Sequence, residues 1–492
     1  DDIGEKHSRA RIFFCYFDKG VRMKILLVNP PSGELTVGLK YLAKVEPLGL
    51  EIIGGTVREH DVELLDMEID KNLDGALRRF HPDIVGVSAQ VVQTYTAQHV
   101  LKAAKAFNPN ILTVVGGHHA TLCPQEFNAP FIDIIVIGEG VPAFKEIVSR
   151  WNMQKVKQFD DILGLGLPRN GELFLTPPRP LPANLDHHPQ PHRALTKKYR
   201  SHYFYLFENS VASIQTSMGC TFPCNFCSCQ HFTQRHFITR SPELIVEDLK
   251  TIDEEFIMFC DDHTFIDVKR MERLYDLIVE ADIKKRYFAY TRTDCVVKNP
   301  EIFAKWAKIG LMMVMTGLEA IDDSRIKEVN KKTSIEINEK AIAILAENGI
   351  ALSAGFLVMP DYTEDDFKRI DDYVKRHPNI ALTELTPLTP LPGTGFHHEI
   401  ENTITTHHRE MYDLAHFVVP TTNLTSAQMY GLIAKYYVRI VLRAIRRFKL
   451  YRPQYALKSH IPRVVWGLWR NGQLIKQLHR YSHTPVPKDF IR

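Results

Sequence analysis

Short apolar runs that each end in Gly, Pro, Ser or Asn, spaced by helical stretches, constrain this chain more than any other feature. From Met23 the runs are KILLVNPP, DVELLDM, DIVGVSAQ, ILTVVGGHH and DIIVIGEG, separated by stretches such as LDGALRRF and TAQHVLKAAKAF. Four to six apolar residues in a row suit a parallel strand buried on both faces, and alternation with helices predicts a doubly wound α/β domain over residues 23–150. Ligands of such sheets collect outside the carboxyl ends of the strands. Asn29 and Pro30, then Ser88, Ala89 and Gln90, then Gly116, Gly117 and His118, then Gly138, Glu139 and Gly140 all fall there. A second series follows: VASIQTSM, FIMFCDD, RYFAYTRTD, MMVMTGLEA, ALSAGFLVM and IALTELTPL. Six βα units predict an open, partial (β/α)6 barrel over residues 211–395, its loops at the carboxyl ends forming the active face. The Pro- and His-rich residues 151–210 read as a linker, and residues 396–492 as a helical, basic C-terminal region. Residues 1–22 lack a signal-type apolar segment and read as a disordered extension.

The chemistry concentrates in Cys220-Thr221-Phe222-Pro223-Cys224-Asn225-Phe226-Cys227, placed where the first strand of the second series ends. Three thiolates in a C-x3-C-x2-C loop can hold three irons of a [4Fe–4S] cluster and leave the fourth iron open to another ligand. A zinc site is the alternative, with Cys229 or His231 as fourth ligand, and would make the chain a zinc-stabilised binding protein. Cys15, Cys123, Cys260 and Cys295 stand apart from this loop. Clustered thiols in a chain without a secretory signal fit a reducing, cytoplasmic setting.

With the cysteine loop on the first barrel strand and an α/β domain upstream, the sequence resembles the radical S-adenosylmethionine (SAM) superfamily, within it the cobalamin-binding (class B) methyltransferases, and most of all the hopanoid C-methylases of C-3 type. The resemblance implies three cofactors: a [4Fe–4S] cluster on Cys220, Cys224 and Cys227, SAM on its open iron, and cobalamin on the N-terminal domain. It implies reductive cleavage of SAM to a 5′-deoxyadenosyl radical and methylation of an unactivated carbon, with an electron supplied by a protein such as flavodoxin or ferredoxin. Asp261 and Asp262 match the acidic segment near the SAM amino group, Arg292 the carboxylate partner, and Glu319 with Gly317 the ribose contact. GGHHAT and GEG match the cobalamin-binding loops, whereas NPPSGELTVG lacks the D-x-H-x-x-G that ligates cobalt elsewhere, implying a base-off cofactor without a histidine lower ligand. A redox or ring-forming cobalamin enzyme of tetrapyrrole or natural-product biosynthesis would use the same cofactors.

The C-terminal region has its own charge. Residues 401–492 hold fifteen Lys or Arg against four Asp or Glu, a balance of +11 that leaves −8 for the rest of a chain of net charge +3. Lys435, Arg439 and Arg443 fall four apart, with Arg446 and Arg447 beyond them, among Leu432, Ile433, Val438, Ile440, Val441, Leu442, Ile445 and Phe448. Such a stripe fits peripheral attachment to an anionic membrane surface, and equally a helix packed on the barrel with a basic outer face. Trp466 and Trp469 suit an interface. No nucleic-acid-binding motif accompanies the basic residues. A small-molecule or lipid substrate and a place in the cytoplasm, peripheral to the inner membrane surface, follow as expectations.

Overall fold

The computed structural model describes residues 22–38, 42–154, 158–206, 208–451 and 461–480. The extension expected over residues 1–22 lies outside these except for Arg22, and the side chains of Val441, Ile445, Arg447 and Phe448 are likewise outside.

The first domain is a sheet of seven strands: β1 (Lys24–Asn29), β2 (Asp61–Asp66), β3 (Ile84–Ser88), β4 (Leu112–Gly116), β5 (Ile134–Val136), β6 (Leu165–Arg169) and β7 (Glu172–Leu175). Their order is β2-β1-β3-β4-β5-β6-β7, the first five parallel and the last two antiparallel. β1 explains the apolar run. Ile25 and Leu27 enter one core with Val114, Phe144 and Trp151, while Leu26 and Val28 enter another with Leu77, Val100 and Leu101. Because successive residues of a strand point to opposite faces, only a continuous apolar sequence can satisfy a sheet covered by helices on both sides. Each such side chain contributes about 1.5–3 kcal/mol by leaving water.

The second domain is the expected open half-barrel. Six parallel strands run in sequence order: β8 (Val211–Ile214), β9 (Phe256–Phe259), β10 (Arg286–Tyr290), β11 (Leu311–Glu319), β12 (Ala351–Val358) and β13 (Ile380–Pro387). Ile257, Phe259, Tyr287 and Val314 face the covering helices around Trp306, whose indole N–H donates to the Met271 carbonyl at 3.2 Å. Phe256, Met258, Phe288 and Met313 face inward, against Tyr205.

The segment expected as a plain linker is more structured than its composition suggested. It supplies β6, β7 and a 3-10 helix, Arg193–His202. Arg193 of that helix donates to both oxygens of Asp248 at 3.1 Å, to Glu46 at 3.0 Å and to the Ser213 carbonyl at 3.0 Å, so it joins the first domain to the barrel.

Residues 404–419 strap the two domains together. Arg409 pairs with Glu126 at 2.8 Å, Glu410 accepts from the Leu35 amide at 3.0 Å, and Asp413 accepts from the Val37 amide at 2.7 Å. The C-terminal helix Ser426–Tyr451 then packs on the barrel helix Glu364–Arg376, Tyr436 stacking on Phe367 at 5.6 Å. Its four-spaced cations face that helix: Lys435 pairs with Glu364 at 3.0 Å, and Asp371 takes Arg443 at 2.5 Å and Arg439 at 3.8 Å. These three cations, read as a possible membrane stripe, therefore serve the barrel contact. Among the described residues no helix is long and apolar enough to cross a membrane.

Candidate active site between two loop rims

The cysteine loop is built on β8. Both carboxylate oxygens of Asp261, at the end of β9, are spent on it: Oδ1 accepts from the Thr216 amide at 2.7 Å and the Ser217 amide at 2.9 Å, and Oδ2 from the Thr216 hydroxyl at 2.5 Å. Asp261, expected among the SAM contacts, is thus a buried strut. Asp262 points the other way, as the next residue of an extended chain must. It accepts from the Gly219 amide at 2.7 Å and from the Cys229 thiol at 2.9 Å, and it is exposed. Gly219 has φ +91°, and a Cβ there would strike the His236 carbonyl, so glycine is required at the entry to the loop.

Cys220, Cys224 and Cys227 are free thiols. Burial raises the pKa of Cys220 and Cys224, whereas the side chain and backbone of neighbouring Cys229 lower that of Cys227 to about 7. Thiols raised by burial ionise when a metal supplies the compensating charge. Four thiolates on one zinc, each about 2.3 Å from it, would sit ~4 Å apart. Among the described residues, sets of three ligand atoms within 4.8 Å of one another occur at His119, Cys123 and Glu126 and at Glu139, His187 and His188, and the cysteine loop forms no such set. Three thiol donors with no histidine among them fit the three protein-held irons of an iron–sulfur cluster.

Two cations stand beside the loop. Arg292 Nη1 lies 3.7 Å from Cys224 Sγ with its guanidinium 3.6 Å over the Phe222 ring, held by Asp294 at 2.9 Å and the Lys331 carbonyl at 2.6 Å. Lys331 Nζ donates to Glu319 at 2.5 Å. Burial opposes the charge on Lys331, but Glu319 and Cys224 outweigh it and raise its pKa. Glu319 ends β11 with φ +65°, where the β11–β12 register slips. A Cβ on Gly317 would strike the Glu319 carboxylate and come 2.9 Å from Lys331 Nζ, so the glycine makes room for the pair. The structure thereby gathers Asp262, Arg292, Gly317 and Glu319 around the cysteines. Lys331 escaped the sequence reading because it follows a surface helix, Asp323–Glu328, rather than a strand.

The rim of the first domain faces this mouth across an apolar groove of about 200 Å³. Ser88, Gly116, Gly117, Gly138, Glu139 and Gly140 line it from one side, and Gln215, Met218 and Phe232 from the barrel side. His118 stacks on Phe232, rings 5.7 Å apart, closing the seam. Gly117 has φ +97°, and a Cβ would lie 2.8 Å from Ser88 Oγ and 2.9 Å from the Ala89 amide. Asn29, Pro30, Ala89 and Gln90 do not line the groove. Asn29 instead donates to Asp66 at 2.8 Å, Gln93 donates to the Pro30 carbonyl at 2.7 Å, and the Gln90 amide donates to Gln93 at 3.0 Å. Glu139 is held by His188 at 3.1 Å, His187 at 3.4 Å and the Val141 amide at 3.0 Å. Burial alone would raise its pKa; His188 and the other partners bring it below the usual value. The two histidines sit in the segment read as a linker and had no assigned role.

A parallel sheet of order 2-1-3-4-5 whose carboxyl rim faces a six-stranded half-barrel with three free cysteines at its mouth defines a radical SAM enzyme with a cobalamin-binding domain. Comparison with known proteins agrees: residues 34–148 match the B12 binding domain and residues 214–374 the radical SAM superfamily. The chain is 31% identical to the hopanoid C-3 methylase of Methylococcus capsulatus, over 84% of its own length and 79% of that protein's. It is 28% identical to the anaerobic magnesium-protoporphyrin IX monomethyl ester cyclase of Rubrivivax gelatinosus, over 69% of its length and 61% of that protein's. In fold it is similar to OxsB, a cobalamin-dependent S-adenosylmethionine radical enzyme solved with aqua-cobalamin and S-adenosylmethionine, with a TM-score of 0.69 at 15% identity over 94% of this chain and 72% of that one. The chain belongs to the cobalamin-dependent radical SAM methyltransferase family. The family's cofactors are a [4Fe–4S] cluster, SAM and cobalamin, and its chemistry calls for a small-molecule substrate and a reducing partner.

Proposed function

We propose that the enzyme methylates an unactivated carbon of a polycyclic lipid, with C-3 of a hopanoid as first choice. The observation that carries this is the placement of three free cysteines opposite the groove of the first domain, in a chain 31% identical to a hopanoid C-3 methylase over most of its length. Cys220, Cys224 and Cys227 hold the cluster. Arg292 and Lys331 are the cations placed to meet the SAM carboxylate, Asp262 and Glu319 the acids for its ammonium and ribose hydroxyls, and Gly317 lets the backbone approach. Ser88, Gly116, Gly117, Gly138, Glu139 and Gly140 line the cobalamin seat. When bound, the cluster supplies the electron that cleaves SAM and cobalamin carries the methyl group to be transferred. Burial of Arg292, Glu319 and Lys331 strengthens their grip on a charged ligand by keeping water out. A flavodoxin or ferredoxin is the expected reductant. The working place is the cytoplasmic face of a membrane, touched peripherally.

Anaerobically reconstituted enzyme given cobalamin, reductant, methyl-deuterated SAM and a bacterial lipid extract is expected to yield a polycyclic lipid bearing an intact CD3 group. The similarity to an anaerobic cyclase favours a second reading, ring formation on a tetrapyrrole. An unlabelled, cyclised product would establish that reading instead. Gly117→Val tests the cobalamin seat. A β-branched residue at φ +97° with its Cβ against Ser88 and Ala89 costs about 1–3 kcal/mol of strain, relieved by displacing this loop, and hydroxocobalamin retained in equilibrium dialysis is expected to drop. Unchanged retention would move the seat elsewhere.

A further inference from the structure

A second cavity, of about 240 Å³, opens on the flank of the half-barrel, where the outer edge of β13 pairs with no further strand among the described residues and the C-terminal helices cover it. Its walls are Leu382, Leu385 and Tyr205 on the barrel side and Ile433, Ile440 and Ile475 on the helical side. Two acids reach it. Asp413 is fully engaged, accepting from the amides of Val37, Gly38 and Ala415 and from His416. Glu384 receives only a hydrogen bond from Ser353 at 3.3 Å and, among the described residues, pairs with no cation. Burial raises its pKa, which disfavours its charged form.

The strand register connects this cavity to the site at the barrel mouth. Glu384 is the register partner of Gly355, and Gly355 that of Gly317. Neighbouring strands are about 4.8 Å apart, so Glu384 lies ~10 Å from Gly317 across a row whose two other members have no side chain. A Cβ on Gly355 would come 3.1 Å from the Met315 methyl, so this row lies on the inner face and the flexible Met315 side chain is what lies over it. At 240 Å³ the cavity is smaller than the ~300–1,000 Å³ of sites that enclose a drug-sized ligand whole. A long substrate would leave part of its length outside, beyond the helices Ser426–Tyr451 and Ile461–Gln477. Those helices contain no Asp or Glu. They expose Val438 (46%), Leu442 (55%), Trp466 (53%) and Trp469 (56%), together with Arg446, Arg470 and Lys476. Exposed Trp with aliphatic residues and cations, and no acid, complements an anionic lipid surface.

We propose that this flank cavity seats the reacting end of an apolar polycyclic substrate, which enters between β13 and the C-terminal helices and reaches the SAM site along the Glu384–Gly355–Gly317 row. The remainder of the substrate stays in a lipid layer against the Val438, Leu442, Trp466 and Trp469 face. This rests on the lipid reading above and locates its binding site.

The test uses the full chain, reconstituted anaerobically, with phosphatidylcholine/phosphatidylglycerol vesicles carrying a diazirine-bearing sterol. After irradiation, adducts are expected on peptides containing residues 380–387 and 433–440. In Leu382→Trp, and separately in Gly355→Val, those adducts are expected to fall about tenfold, a change of ~1.4 kcal/mol, since the added side chain occupies space the sterol must enter. Circular dichroism and iron content identify any variant that fails to fold; Gly355→Val, a β-branched residue in a strand, is the one suited to fold. In Trp466→Ala/Trp469→Ala, co-flotation with the vesicles is expected to drop. Adducts confined to other regions, or undiminished in a folded variant, overturn the proposal. If the deuterated-SAM assay labels a lipid while the adducts lie elsewhere, the cavity assignment alone fails; if no lipid is labelled, the lipid reading fails with it.

Discussion

Single replacement of Cys220, Cys224 or Cys227 by Ala is expected to abolish 5′-deoxyadenosine formation and to strip the reconstituted protein of most of its iron and of its broad absorbance near ~420 nm. A cluster held by three thiolates has no spare protein ligand. The nearest candidate, Cys229, already donates its thiol to Asp262 at 2.9 Å and sits on the short helix Cys229–Phe232, which fixes its direction. Cys229→Ala is therefore expected to keep its iron. That contrast separates a cluster from a zinc site, where the fourth sulfur would matter as much as the other three. Cobalamin retention should persist in all four variants, because the groove residues around Gly117 belong to a different domain, anchored by β3, β4 and β5. Equilibrium dialysis, iron quantitation and chromatography of the nucleoside product measure the three effects. Deoxyadenosine formed at wild-type rate by Cys224→Ala would refute the ligand assignment.

The parts of this protein that the sequence made legible share one physical cause. Strands buried on both faces leave continuous apolar runs, and both sheets could be read from them, as could the cysteine loop at the end of β8. What stayed hidden depended on partners distant in the chain. Asp261 and Asp262 are indistinguishable by type, yet opposite orientation makes one a strut for Thr216 and Ser217 and leaves the other facing Gly219 and Cys229. Lys331 carries no local mark, since its partner Glu319 lies on the preceding strand and its placement depends on the loop after helix Asp323–Glu328. The four-residue spacing of Lys435, Arg439 and Arg443 was correctly a helix face. Which way that face turns is decided by Glu364 and Asp371, roughly seventy residues earlier. Pro168 and Gly171 disguised β6 and β7, because a proline inside a strand is tolerated near a sheet edge and argues against a strand when read alone.

The same distance dependence makes Arg193 the residue whose loss should cost the fold most. It reaches Glu46, which precedes the helix Leu48–Thr56, Glu51 within that helix, and Asp248 on the barrel helix Pro242–Lys250; Arg200 adds contacts to Glu46, Glu51 and Glu254. All but the last of these carboxylates are buried. Arg193→Ala would leave Glu46 and Glu51 with Arg200 as their remaining close cation and remove the direct ion pair of Asp248. Breaking a buried ionic network by removing one partner costs about 3–5 kcal/mol. The variant is expected to show a thermal midpoint lower by roughly 3–5 °C, read by circular dichroism or calorimetry. The loss should also depend on pH in a definite direction. Burial and the charge of Glu51 raise the pKa of Glu46 from 4.5 to about 7, despite both arginines. A carboxyl that holds its proton more tightly in the folded state loses stability as pH rises from its unfolded value toward its folded one, and loses no more above that. Removing Arg193 removes a contribution that lowers this pKa, so the Glu46 contribution goes on falling above pH 7 in the variant, where it has levelled off in the native protein. Its deficit should therefore be larger at pH 8 than at pH 6. An equal deficit at both pH values would mean that Glu46 does not feel Arg193, and a shift within error would mean that the joint is not made there. Since the network joins the groove-bearing domain to the strand that leads into the cysteine loop, the surviving folded fraction should also cleave SAM with less methyl transferred per turnover. A uniform loss of both would indicate simple destabilisation, whereas a selective loss of transfer would show that this joint keeps the two rims facing each other.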